Sequence, residues 1–233
     1  MIKITRKNFD NAIFVAFKIN QSKMSGLTSS SLGRKIVMSL SGFFLIIFLL
    51  VHLGINLTLF AGADTFNAAS HFMATNPLIQ VMQYVLAAGF IFHIVMGIKL
   101  ELQNRASRPV KYAKNNAAAN SGWASRNMIV TGILVLLFLV LHLKDFFVPI
   151  KFGEVHDDFQ LVTELFKNPM YVILYVIAFV LLGIHLSHGF QSAFTSIGAR
   201  APKYLKCIKN TGMAFSYFIA LGFSVIAIYF YFA

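Results

Sequence analysis

The chain has 233 residues, of which 58% are hydrophobic and 12% charged. A water-soluble domain carries about twice that charged fraction, so an ordinary soluble globule is excluded. The net charge of +12 would suit nucleic acid on a soluble surface, but here the cations gather in alternate connections between apolar runs, and no nucleic-acid partner is expected. The single cysteine, Cys207, excludes a disulfide within the chain.

Residues 1–30 are polar and basic and read as an N-terminal arm lying against anionic lipid. Their one apolar patch, Ala12–Phe17, is too short to span a bilayer and has no small-residue cleavage site after it. The alternative is that translation starts at Met24 and the preceding stretch is a start-site artefact. Five apolar runs follow, at about 36–60, 78–100, 127–150, 170–194 and 211–233. A hydrocarbon core of ~30 Å needs about 20 helical residues, so each run predicts a transmembrane helix. The expected fold class is all-α: a membrane domain over residues 31–233 built as a bundle of five spans.

The five prolines fall in connections or at run edges. Asn76-Pro77 and Asn168-Pro169 read as an N-cap followed by proline at the first helical position. Seventeen of the 20 Lys and Arg residues lie before the first run or in the second and fourth connections, and six of the eight acids lie on the opposite side. By the positive-inside rule the N-terminus is cytoplasmic and the C-terminus outside.

Seven histidines occur, and five lie within the runs: His52, His93, His142, His185 and His188. An ionisable side chain inside a span is costly, which marks each as a functional candidate. His52 and His142 lie about 22–24 Å from the inner surface, and His93 and His185 about 22 Å from the outer one. This predicts two pairs at two levels, roughly 15 Å apart along the bilayer normal. Two imidazoles from facing helices at one level suit axial ligation of a haem iron. Covalent attachment of the c type is excluded, because no Cys-x-x-Cys-His run occurs. Interhelical hydrogen bonding and a zinc site are the competing readings. His188, three residues after His185, is the alternative inner ligand. Gly89, Gly97 and Gly189, each four residues from a candidate ligand, leave room for a macrocycle or for ordinary close helix packing. His71 and His156 fall in outer connections and read as solvated, with a place near quinone as the alternative.

The local sequences Val51-His52-Leu53, Phe92-His93-Ile94-Val95-Met96-Gly97, Leu141-His142-Leu143 and Ile184-His185-Leu186-Ser187-His188-Gly189 carry a resemblance. So does the entry to the first span, Ser30-Ser31-Leu32-Gly33-Arg34-Lys35. Over about residues 24–233 the chain resembles the dihaem cytochrome b anchor subunits of succinate:quinone oxidoreductases and quinol:fumarate reductases. That resemblance implies two haem b groups, an outer one on His52 and His142 and an inner one on His93 and His185. It also implies a flavoprotein subunit and an iron–sulfur subunit as partners, and a quinone, menaquinone by preference, as substrate. The implied place is the bacterial cytoplasmic membrane. The implied role is electron transfer within the complex, without bond chemistry on the dicarboxylate.

Ser39, Trp123 and Arg126 are candidates to hold the inner haem's propionates, because a propionate needs donors and positive charge. The basic stretches Arg105–Lys114 and Arg200–Lys209 are candidate docking surfaces for the soluble subunits. Asp64 and the acidic outer connections are candidate proton sources for quinone. Some members of the family carry a proton-moving glutamate two residues before the fourth-span histidine; here that position is Gly183, and no acid is expected deep within a run. The rival functions are another multi-haem membrane cytochrome b, of the hydrogenase or formate dehydrogenase type, and a small proton-relay transporter. No broken-helix pattern or inverted repeat supports the transporter.

Overall fold

A computed structural model describes residues 30–106, 127–153, 155, 157–199 and 201–233. These residues form helices, with no strand among them. In chain order they are α1 (Ser31–Leu57), a 3₁₀ turn (Thr58–Ala61), α2 (Ala63–Thr75), α3 (Pro77–Ala106), α4 (Met128–His142), a π-helical turn (Leu143–Phe147), α5 (Val148–Phe152), α6 (Asp158–Phe166), α7 (Pro169–Ser196) and α8 (Pro202–Phe232). Among the described residues five segments are long and apolar enough to cross a membrane: Ser31–Ala61, Pro77–Ala106, Met128–Phe152, Pro169–Ser196 and Pro202–Phe232. The N-terminal arm assigned to residues 1–30, and the choice of start site, fall almost wholly outside the described residues.

Local chemistry sets where each helix begins. The Ser30 hydroxyl accepts from Gly33 N at 2.9 Å, capping α1 several residues ahead of its apolar block. Asn76 and Asn168 precede Pro77 and Pro169 as expected, and the Asn168 side chain accepts from Met170 N at 2.9 Å. The last span starts at Pro202 rather than near 211, because the lysine-rich stretch before the apolar block is itself helical.

Contacts between helices fix the register. A Cβ placed on Gly97 would meet the Met38 methyl and one on Gly89 the Phe44 ring, so α1 and α3 run antiparallel. Gly189 lies against Met128 and Gly132 against His185, which sets α4 antiparallel to α7. Gly212 meets Phe190 and Gly183 meets Ala220, which does the same for α7 and α8. We call the end holding Ser31 and Ala106 the near end, and the end holding α2 and α6 the far end.

The core joins α1, α7 and α8 in the far half of the bundle, around Leu53, Tyr175, Phe179, Ile219 and Phe223. Large apolar side chains such as Ile47, Val81, Ile91, Leu137 and Ile177 point outward. In lipid that outward face costs nothing, and helix association rests on close packing through small residues. At the far end α2 and α6 are tied together: Asn67 donates to Asp157 at 2.9 Å, Phe159 N donates to Asn67 at 2.9 Å, and Ser70 donates to Asp158.

Candidate functional site

The far level is built on α1 and α4. The rings of His52 and His142 lie 5.7 Å apart, centre to centre, and almost perpendicular at 88°. Phe48 stacks on His52 at 5.3 Å, and Phe223 of α8 lies 5.5 Å from it. Phe138, Phe146 and Tyr175 surround His142 at 5.8, 5.3 and 6.3 Å. His142 Nδ1 is buried with no hydrogen-bond partner among the described residues. A metal bound by both imidazoles at ~2 Å would hold the ring centres about 6 Å apart, so the spacing fits a shared axial pair.

The near level is built on α3 and α7. His93 Nδ1 lies 3.0 Å from the Ser41 hydroxyl, and His185 Nδ1 lies 3.4 Å from the Thr131 hydroxyl. Ser41 and Thr131 each sit 11 residues before a far-level histidine on the same helix. Eleven residues rise about 16 Å, so the structure separates the two histidine levels by that amount. His188 lies close enough to His185 to interact with it electrostatically, as does His93. Among the described residues no three His, Cys, Asp or Glu side chains converge on one point as a metal cluster would require.

The remaining candidates fall differently. Ser39 is buried and its hydroxyl donates to Lys35 O at 2.8 Å, which leaves it no proton for a propionate. Trp123, Arg126 and His156 lie outside the described residues. His71 and Asp64 are exposed on α2. The glycines expected to open space beside the ligands are filled by Phe44, Met38 and Met128 from neighbouring spans. At the near end Ser31, Arg34, Lys35, Leu100, Gln103 and Asn104 line a cavity of about 290 Å³ between α1 and α3.

One expectation is corrected. An acid does lie inside a span: the Asp145 side chain is 3% exposed, one turn beyond His142. Tyr175 of α7 donates to its Oδ2 at 2.9 Å, and the exposed Lys144 ammonium lies 3.3 Å from Oδ1. The π-helical turn at Leu143–Phe147 accompanies this placement. Pro149 cannot donate to the Asp145 carbonyl four residues back, and widening the turn relieves that position.

Residues 104–226 match the profile of the Succinate dehydrogenase/Fumarate reductase transmembrane subunit family. The chain belongs to this family. It is also 26% identical over 181 residues to the succinate dehydrogenase cytochrome b558 subunit of Bacillus subtilis (strain 168), covering 76% of this chain and 84% of that one. No solved structure matches. As a succinate dehydrogenase/fumarate reductase transmembrane subunit, the chain is a multi-pass membrane protein of bacterial type and part of an enzyme complex. The family match covers α4, α6, α7 and most of α8, including His142 and His185; His52 and His93 lie ahead of it.

Proposed function

We propose that the chain is the cytochrome b anchor of its complex, with haem b held by His52 and His142 at the far level and by His93 and His185 at the near level. The observation that carries this reading is the far-level pair: two imidazoles from separate helices, 5.7 Å apart, with one ring nitrogen buried and unpartnered. Haem, when bound, supplies a one-electron centre at each level. The protein's own part is to hold the imidazoles in place and to keep water away with the aromatic shell of Phe48, Phe138, Phe146, Tyr175 and Phe223.

The near end lies in the cytoplasm on this reading, which the charge bias of the connections supports. The basic stretches Arg105–Lys114, largely outside the described residues, and Arg200–Lys209 are the proposed docking surfaces for an iron–sulfur subunit and the flavoprotein subunit beyond it. Electrons pass between that side and a membrane quinone, menaquinone by preference. Trp123 and Arg126 are the proposed propionate partners at the near level.

Difference absorption spectra of the purified complex test the reading. His52→Ala and His142→Ala are expected to lose one b-type signal, and His93→Ala and His185→Ala the other. Purified protein with no reducible b-type haem defeats the proposal. If His188→Ala abolishes the near-level signal while His185→Ala spares it, the near ligand is His188. Nickel or molybdenum in place of covalent flavin in the co-purified complex would assign the anchor to a different enzyme.

A further inference from the structure

Each half of the bundle repeats one residue pattern, and the repeat gives two hydroxyl residues a role. On α1 the order is Met38, Ser41, Gly42, His52; on α4 it is Met128, Thr131, Gly132, His142, at the same spacings. On α3 His93 is followed four residues later by Gly97, and on α7 His185 by Gly189. Equivalent residues make equivalent contacts. The Met38 and Met128 methyls lie over Gly97 and Gly189, each 3.5 Å from where a Cβ would stand. A Cβ on Gly42 would come 3.8 Å from His93 Cε1, and one on Gly132 3.3 Å from His185 Cε1. The glycines admit the imidazoles, and the hydroxyls beside them face Nδ1.

The haem reading sets the direction of those two hydrogen bonds. A hydroxyl has one proton. Ser41 gives its proton to Met38 O at 2.7 Å, and Thr131 gives its own to Met128 O at 3.0 Å or Asn127 O at 3.3 Å. With Nε2 on iron the neutral ring carries its proton on Nδ1, so His93 and His185 donate to the two hydroxyl oxygens. The far-level rings meet aromatic side chains instead, and His142 Nδ1 has no partner.

We propose that Ser41 and Thr131 are positioning residues for the near-level haem: they fix the tautomer and ring orientation of His93 and His185 and raise the electron donation of both ligands to iron. The proposal rests on the haem reading given above. An imidazole whose Nδ1–H is hydrogen-bonded is a more basic ligand and favours the ferric state.

Redox titration of the whole complex, followed by absorption and by the paramagnetic resonance of the ferric haems, tests this. Ser41→Ala and Thr131→Val are each expected to raise the midpoint potential of the same haem, the one lost in His93→Ala, and to leave the other unmoved. Ser41→Thr and Thr131→Ser, which keep the acceptor, are expected to hold the parental potential. The proposal is overturned if haem is retained and neither loss variant moves a potential, if the two move different haems, or if the hydroxyl-keeping variants shift as far as the loss variants. Parent complex without b-type haem would instead strike down the haem reading itself, so the two failures are separable.

Discussion

Replacing Tyr175 by Phe removes one oxygen from the best-buried polar contact in the far half of the bundle. Tyr175 is 1% exposed, and its hydroxyl donates to Asp145 Oδ2 at 2.9 Å. The ring stays, so the aromatic contacts with Phe138, Phe166 and Phe179 survive and no cavity opens. What is lost is a hydrogen bond to a carboxylate whose side chain is 3% exposed. Lys144 faces only the other oxygen, at 3.3 Å, and its own side chain is 70% exposed. Hydrogen bonds to charged groups contribute about 1.5–3 kcal/mol. The expected destabilisation is therefore about 1.5–3 kcal/mol, or roughly ten- to 150-fold in the unfolding equilibrium. Detergent-induced unfolding of the purified complex, followed by far-ultraviolet dichroism, measures it. Asp145→Asn keeps an acceptor for the hydroxyl and is expected to cost less than Tyr175→Phe. A Tyr175→Phe variant within about 0.5 kcal/mol of the parent would show that the carboxylate is hydrated or that the contact is absent in the membrane.

Two further outcomes follow from the packing. Gly183→Ala puts a methyl 3.1 Å from Ala220 Cβ and 3.4 Å from Ser216 O, so α7 and α8 must separate; about 1–3 kcal/mol of lost stability is expected, and an unchanged unfolding curve would refute the close crossing. At the far end, hydrogen bonds from Gln160 N and the Asn67 side chain hold the Asp157 carboxyl below its ordinary value. Because the folded value is depressed, its contribution is full above the ordinary aspartate value of about 4 and is lost as pH falls through the lower folded value. Amide exchange at the start of α6 is expected to accelerate across that acid window in the parent. In Asp157→Ala it should be fast throughout, and equal protection in the two proteins would argue against the cap.

Much of the bundle was legible because lipid imposes a length on apolar helices, and histidine depths follow from a fixed rise per residue. Helix starts were less legible. Ser30 begins α1 ahead of its apolar block through a side-chain bond, and the lysines after Pro202 continue α8 outside it. The short helices α2 and α6 carry mixed composition and read as connections. Asp145 counts among the acids of the outer side by its place near the end of the third run, and local order does not show that it turns toward Tyr175. Nothing in the local sequence singles out Ser41 or Thr131, since a hydroxyl within a span commonly bonds its own helix, as both do. Their signal was present all the same, as the shared spacing to His52 and His142.

That spacing has a mechanical meaning. Eleven residues make close to three helical turns, so the hydroxyl that faces one histidine level and the histidine that forms the other lie on one side of a single rod. The backbone ladder of α1 and α4, rather than side-chain packing, sets the gap between the levels. Side-chain substitutions can retune either level, yet the gap resists change, because hydrogen bonds along both rods would have to stretch together. A tilt of either rod is felt at both levels at once. Inserting a single residue between Ser41 and His52 would break this ruler, turning His52 about 100° away from His142 while leaving Ser41 beside His93.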